Sequence, residues 1–279
     1  MPEPTQARHP AAPHRSANNR HLIGRHLVHL LWVALEDTQS LLQAWAQNGE
    51  AETLHQARVA WRRHKCLLKF YKPLLPEPPQ HGKAALQALW QLTGQLRNLD
   101  VALQSTLPAW RQDHPEVGTT EWPVLLHELH RDRLHKCHAL TQAVAKRQVA
   151  VGFQQLQIWM QRLDTVPLQF KRQHFKKWAR QRLQRLHRKM RALRHPFSPE
   201  RQHQRRILLK QERHALESLL TIQPDKKHQA QLKRIRHQQT AWGHAQDMQA
   251  ALDLIEGSGQ WPELTQAWRA SMGHARPSA

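Results

Sequence analysis

The segment LHQARVAWRRHKCLLKF, residues 54–70, has the composition and apolar spacing of an amphipathic helix. It also carries a row of cations at helical spacing, which we call the first cation row: His55, Arg58, Arg62, Lys65 and Lys69. On a helix that turns about 100° per residue, these side chains fall within roughly 80° and extend about 21 Å along the axis. Because like charges three or four residues apart repel each other, the row predicts that something anionic lies against it.

The whole chain is strongly basic, with 42 Lys and Arg against 21 Asp and Glu among 279 residues. This balance points to nucleic acid, another polyanion or an anionic membrane surface as the partner. The two cysteines, Cys66 and Cys137, are too few for a disulfide scaffold and lack the paired spacing of a zinc site, which favours a reducing compartment. No stretch reaches the roughly 18 apolar residues of a membrane span, so we expect a soluble cytoplasmic protein.

Few glycines and long segments rich in Leu, Gln, Ala and Arg at helical spacing predict an all-α protein. Residues 1–19 contain four prolines and predict a disordered tail, and residues 274–279 predict a second tail. Proline-bearing joints separate most of the predicted helices, which are 20–47, 51–72, 82–107, 121–163 with a break near Gly152, 168–194, 199–220, 227–255 and 260–273.

An internal repeat relates the two halves of the chain. An offset of 148 residues aligns residues 55–70 with 203–218, and an offset of 149 residues aligns 93–103 with 242–252. Four of the five cations of the first row then have matched basic partners in the second half. These partners form the second cation row: His203, Arg206, Lys210 and Arg213.

The repeat predicts two four-helix units, 20–165 and 166–273, related by a pseudo-twofold axis. If the apolar flanks of both rows face inward, the two rows line one central basic groove, and a cleft walled by a single sign of charge attracts a polyanion. The two halves are not electrostatically equal, since Glu217 stands where the first half has Lys69.

Positive charge is concentrated in residues 171–236, which contain 21 Lys or Arg and only four Asp or Glu. This surface suggests sequence-independent RNA or DNA binding as an alternative function. Four of its cations share one helical face and either extend the groove or are ordinary solvated side chains: Lys177, Arg180, Arg188 and Arg191. The tryptophans at helical spacing predict core positions rather than base-stacking platforms, namely Trp32, Trp61, Trp90, Trp159 and Trp178.

From about residue 20 to 270 the chain resembles the CHAD domain, a histidine-bearing α-helical domain. The resemblance rests on LHQARVAWRRHKCLLKFYKPLLP, on LTGQLRNLDVAL, on PLQFKRQHFKKWARQRL through QRRILLKQERHALE, and on the duplicated order of these segments. It implies two four-helix bundles with a basic central groove that binds inorganic polyphosphate, often on polyphosphate granules. The implied phosphate contacts are His55, Arg58, Arg62, Arg63, Lys65, His203, Arg206, Lys210 and Arg213, to which we add Lys69 and Arg97.

The sequence favours binding over catalysis, and we predict no catalytic residue, cofactor or metal site. Phosphoryl transfer normally requires carboxylates that hold Mg²⁺, and no such cluster is recognisable. Where the family has an Arg-Asp step, this chain has Arg97-Asn98 followed by Leu99-Asp100. Asp100 and Asp247 follow the matched glycines and resemble partners of arginines and helix termini rather than metal ligands. A metal-dependent polyphosphate-processing enzyme is the second alternative.

Overall fold

A computed structural model describes residues 15–165, 171–194 and 198–274 of the chain. These residues form ten α-helices and no strand, which confirms the all-α prediction. A 3₁₀ turn, Lys72–Leu74, follows α2, and a π-helical segment, Ala102–Thr106, joins α3 to α4. The helices are α1 Arg15–Asn48, α2 Ala51–Tyr71, α3 Gln80–Val101, α4 Leu107–Asp113, α5 Glu121–Val144, α6 Arg147–Thr165, α7 Arg172–Ala192, α8 Pro199–Ile222, α9 Lys226–Ser258 and α10 Pro262–His274.

Several helix boundaries differ from the sequence prediction, and the short helix α4 was not predicted. α1 begins at Arg15, five residues before the predicted start, while residues 1–14 of the predicted tail lie outside the described residues. The predicted helix 121–163 is two helices, and the break lies at Ala145 and Lys146, not near Gly152. Gly152 instead lies buried within α6.

Two helix starts have the capping chemistry that their sequences indicate. Ser198 precedes Pro199 at the start of α8, and its hydroxyl accepts a hydrogen bond from the backbone N–H of Arg201 at 3.3 Å. Asp225 begins α9 by accepting from the backbone N–H groups of Lys227 and His228 at 2.8 and 3.2 Å. The second and third helices of the C-terminal half therefore start where the proline-bearing joints predicted.

The buried apolar residues form two clusters, and each cluster draws on both halves of the sequence. The larger cluster combines residues of α1 to α3 and α5 to α9. The smaller one packs α3, α4 and α5 against α9 and α10, with the rings of Trp110 and Trp268 in tilted contact at 4.6 Å between centroids. The division into units 20–165 and 166–273 stays a prediction. The five tryptophans predicted as core all belong to the larger cluster or pack against it: Trp32, Trp61, Trp90, Trp159 and Trp178.

Buried polar contacts link helices that are distant in the sequence. The Tyr71 hydroxyl of α2 and the Ser218 hydroxyl of α8 share a hydrogen bond of 2.8 Å. Asp100, only 1% exposed, accepts from Nε of Arg133 at 2.8 Å and so joins α3 to α5. Asp100 is therefore the partner of an arginine, as the sequence predicted, although the acidic residue lies two positions after the family's usual Arg-Asp step.

Candidate anion-binding site

α2 and α8, the helices that carry the two cation rows, pack against each other. Tyr71 near the end of α2 bonds to Ser218 near the end of α8, while Arg62 lies within electrostatic range of Lys210 and Arg213. Residue numbers therefore rise in the same direction along both helices. This parallel arrangement brings the middle of the first cation row beside the middle of the second.

Lys210 is the member of the second row most strongly affected by this arrangement. Burial lowers the pKa of Lys210 to about 7, and the positive charges of the surrounding arginines lower it in the same direction. The side-chain amine of Lys210 is therefore only partly protonated at neutral pH in the free protein. The arginines that act on Lys210 come from both rows: Arg62, Arg206, Arg213 and Arg58.

Arg58 crosses from α2 to α3. Its Nη1 donates to the Thr93 hydroxyl at 2.8 Å and to the Trp90 carbonyl at 3.4 Å. It also passes over Gly94, where a Cβ atom would lie 3.3 Å from the same nitrogen. Burial lowers the pKa of Arg58 to about 10, and the nearby charges of Arg62 and Arg97 act in the same direction. The glycine thus leaves room for a half-buried guanidinium between the two helices.

Arg206 makes a corresponding contact in the second half. Its Nη1 donates to the backbone carbonyl of Trp242 at 3.0 Å, and Trp242 is matched to Thr93 in the sequence repeat. The pKa of Arg206 is lowered by burial and by Arg62, although Asp247 opposes the shift. Each row therefore anchors one arginine on the long helix that follows it.

The remaining predicted contacts lie around this centre. His55 is half-buried, and its pKa is lowered first by burial and then by the charge of Arg97. Arg97 also lies within electrostatic range of Asp247, whose pKa is raised by burial while the neighbouring cations oppose the rise. Lys65, Lys69 and His203 are exposed. The structure thus groups six cations, keeps His55 half-buried beside them and leaves Lys65, Lys69 and His203 facing solvent. The six are Arg58, Arg62, Arg97, Arg206, Lys210 and Arg213.

Arg63 lies on a different side of α2, in a cavity of about 540 Å³ between α2, α8 and α9. Within this cavity Glu217 accepts a hydrogen bond from Nη2 of Arg236 at 3.1 Å, and one carboxylate oxygen lies 3.7 Å from Nε of Arg213. Nδ1 of His214 lies 3.1 Å from the other carboxylate oxygen. The cavity is lined by Val59, Arg63, Arg213, His214, Glu217, Arg236, Gln239 and Thr240.

The sequence analysis did not single out Arg236. It marked Glu217 only as the acidic residue that stands at the position of Lys69 in the repeat.

A larger cavity of about 730 Å³ contains none of the predicted contacts. It is lined by Arg25, His26, Val28, His29, Trp32, Met160 and Gln161.

The structure does not bring the four predicted α7 cations into the group around Lys210. Within the described part of the chain, these four side chains are exposed and make no side-chain hydrogen bond or ion pair: Lys177, Arg180, Arg188 and Arg191. Arg182, which the sequence did not single out, donates instead to the backbone carbonyls of Phe70 at 3.2 Å and Lys69 at 3.0 Å. α7 thus satisfies the C-terminal carbonyls of α2 through Arg182.

The described residues contain no group of three or more His, Cys, Asp or Glu side chains placed to hold a metal ion. Within the same part of the chain, each helix is too short or too polar to cross a membrane.

The fold and the site define an all-helical protein in which two parallel helices, α2 and α8, bring two rows of cationic side chains together. The family model of the CHAD domain matches residues 29–256, and the chain therefore belongs to the CHAD domain family. Among solved structures, the chain is similar to the crystal structure of the CHAD domain from the plant Ricinus communis. The two share 26% sequence identity over 90% of this chain and 84% of that chain, with a TM-score of 0.72. No curated protein matches this chain.

Proposed function

We propose that this protein binds inorganic polyphosphate through the cations of α2 and α8 and does not cleave it. The observation that carries the proposal is the environment of Lys210, a half-buried ammonium with four guanidinium groups within electrostatic range. Charges of one sign that are held together and partly removed from water favour a bound polyanion. Membership of the CHAD domain family supports the same ligand, because polyphosphate binding is what the resemblance of the sequence implies.

The chemistry of these side chains suits a flexible phosphate chain. A guanidinium group has five N–H donors, and Arg58 and Arg206 each use Nη1 to anchor on a neighbouring helix. Their remaining donors can form paired hydrogen bonds with phosphate oxygens, while Lys210 adds a point charge. Such contacts recognise phosphate groups and carry no information about a base sequence.

We further propose that the two cation rows line one groove between units related by the repeat. Lys65 and Lys69 would continue the track along the exposed side of α2. The nearby carboxylates support binding without catalysis, because Asp100 is engaged with Arg133 and Asp247 lies among cations. We place the protein in the cytoplasm, in association with polyphosphate granules.

A competition assay distinguishes polyphosphate from nucleic acid. We expect labelled long-chain polyphosphate to stay bound when single-stranded RNA is added at equal phosphate concentration and fixed salt. Displacement by RNA at that concentration would contradict the proposal. Incubation with Mg²⁺ or Mn²⁺ should leave the chain length of the polyphosphate unchanged, and release of phosphate would support the enzyme alternative instead.

A pair of matched variants locates the binding surface. The double substitution Arg62→Gln and Lys210→Gln removes two cations from the centre of the two rows. The control, Lys233→Gln and Arg234→Gln, removes the same charges from the exposed face of α9 within the basic region 171–236. We expect at least a tenfold loss of affinity in the first variant and a small loss in the control. Equal losses would indicate that total charge, and not the grouped cations, determines binding.

A further inference from the structure

Glu217 interrupts the positive charge at one end of the paired rows. The first half has Lys69 at the matched position, and that side chain is exposed. Glu217 instead turns into the cavity between α2, α8 and α9, where Arg236 and His214 contact its carboxylate at 3.1 Å. At this end of the proposed binding track the two sides therefore differ in charge, although the sequence repeat relates them.

The carboxylate of Glu217 is a fixed negative charge at neutral pH. Burial acts to raise its pKa, but the hydrogen bonds from His214 and Arg236 and the charge of Arg213 outweigh burial and lower it to about 2. A carboxylate in this position offers the arginines the same bidentate acceptor geometry that a phosphate would offer.

Arg213 is shared between Glu217 and the central cations. Besides its ion pair with Glu217, its Nη1 donates to Oε1 of Gln239 at 3.0 Å. Its charge also lowers the pKa of both Arg62 and Lys210, so it lies close to the centre of the two rows. A phosphate that moved from the centre into the cavity would meet Arg213 first and would have to compete with Glu217 for it.

We propose that Glu217 determines where the bound polyphosphate can run, because it pairs with Arg213 and Arg236 and so excludes phosphate from the cavity between α2, α8 and α9. The chain then leaves the centre along Lys65 and Lys69 of α2. This inference rests on the proposed function. Without the carboxylate, three guanidinium groups would face the cavity, since Arg63 lines its α2 wall.

The substitution Glu217→Gln tests this role, because it removes the charge and keeps the shape of the side chain. Polyphosphate affinity is measured at several salt concentrations with the full-length protein. We expect binding to tighten several-fold, and the slope of log Kd against log salt to steepen by about 0.7–1.4, as one or two further phosphates gain contacts. The variant Glu217→Asp, which keeps the charge, should bind like the wild type.

A matched control is Glu256→Gln. Glu256 pairs with a single arginine, accepting from Nε and Nη2 of Arg269 at 3.1 and 2.6 Å, and that pair joins α9 to α10 away from the cation rows. Loss of this carboxylate changes the net charge by the same amount, so affinity and slope should stay close to those of the wild type. An equal gain in both variants would show a general charge effect and would overturn the inference.

A double substitution separates the cavity from a structural effect. Arg236→Gln alone should leave polyphosphate binding unchanged, because its guanidinium is already paired with Glu217. Combined with Glu217→Gln, it should remove most of the gain, since the cavity then lacks one of its arginines. A gain that persists in the double variant, or wild-type binding in Glu217→Gln, overturns the inference and leaves the proposed function intact. Absence of binding in the wild type overturns the proposed function itself.

Discussion

Polyphosphate binding should be coupled to proton uptake by Lys210. In the free protein, burial and the surrounding arginines lower the pKa of Lys210 to about 7. A bound polyanion favours the charged ammonium and should return its pKa toward the ordinary value of 10.5. The protonated fraction in the free protein falls from about nine-tenths at pH 6 to about one-tenth at pH 8. Kd should therefore rise about tenfold over this interval, which corresponds to about 1.4 kcal/mol.

Two titration experiments measure this coupling. Labelled polyphosphate is titrated at pH 6, 7 and 8 at constant ionic strength, and calorimetry in buffers of different ionisation enthalpy counts the protons taken up. At pH 7 Lys210 should take up about half a proton for each bound chain. His55 adds a contribution of the same sign, because burial and the charge of Arg97 lower its pKa in the free protein.

The variant Lys210→Arg separates the lysine contribution from that of the histidines. Arginine remains charged throughout this pH range, so the variant should lose the part of the pH dependence that Lys210 supplies and keep the histidine part. Lys233→Arg on the exposed face of α9 is the matched control and should behave like the wild type. If Lys210→Arg and the wild type show the same change in Kd between pH 6 and 8, the reasoning about Lys210 is refuted.

Two further predictions concern the same cations. Replacing Arg58 and Arg206 together by Gln should flatten the slope of log Kd against log salt by about 1–2, and an unchanged slope would remove both from the binding site. Lys210→Met should weaken polyphosphate binding but raise the free energy of unfolding of the free protein by ~1–3 kcal/mol at pH 6. The folded pKa of Lys210 lies below its unfolded value of 10.5, so its protonation penalty is full below pH 7 and fades as pH rises to 10.5. Thermal denaturation at pH 6 and pH 10 measures this gain, and a loss of stability at pH 6 would contradict it.

Much of the fold was predictable because its signals are local. The 3.6-residue spacing identified the helices, and the prolines marked the start of α8 and the region before α9. The break between α5 and α6 was misplaced because Ala145 and Lys146 carry no Gly or Pro signal. Gly152, which does carry one, is a packed position inside a helix.

The site was predictable as two rows but not as a set of contacts. Helical spacing placed Arg58 and Arg62 on one face of α2, and the repeat pointed to Lys210 as the counterpart of Arg62. Which arginines already bind other groups of the protein depends on residues far away in the sequence. Arg182 binds the end of α2, and Arg236 binds Glu217. These contacts have no sequence periodicity, so only the packing of α7, α8 and α9 reveals them.

A row of cations on an isolated helix can simply be a solvated face, and the exposed cations of α7 fit that description. The two rows of α2 and α8 differ because packing forces them together. Water and counterions cannot fully screen side chains that are half-buried, so burial and the charge of Arg213 together lower the affinity of Arg62 and Lys210 for protons. This repulsion costs stability in the free protein and is relieved by a bound polyanion. A substitution that stabilises the free protein and weakens binding therefore distinguishes a binding site from a solvated face.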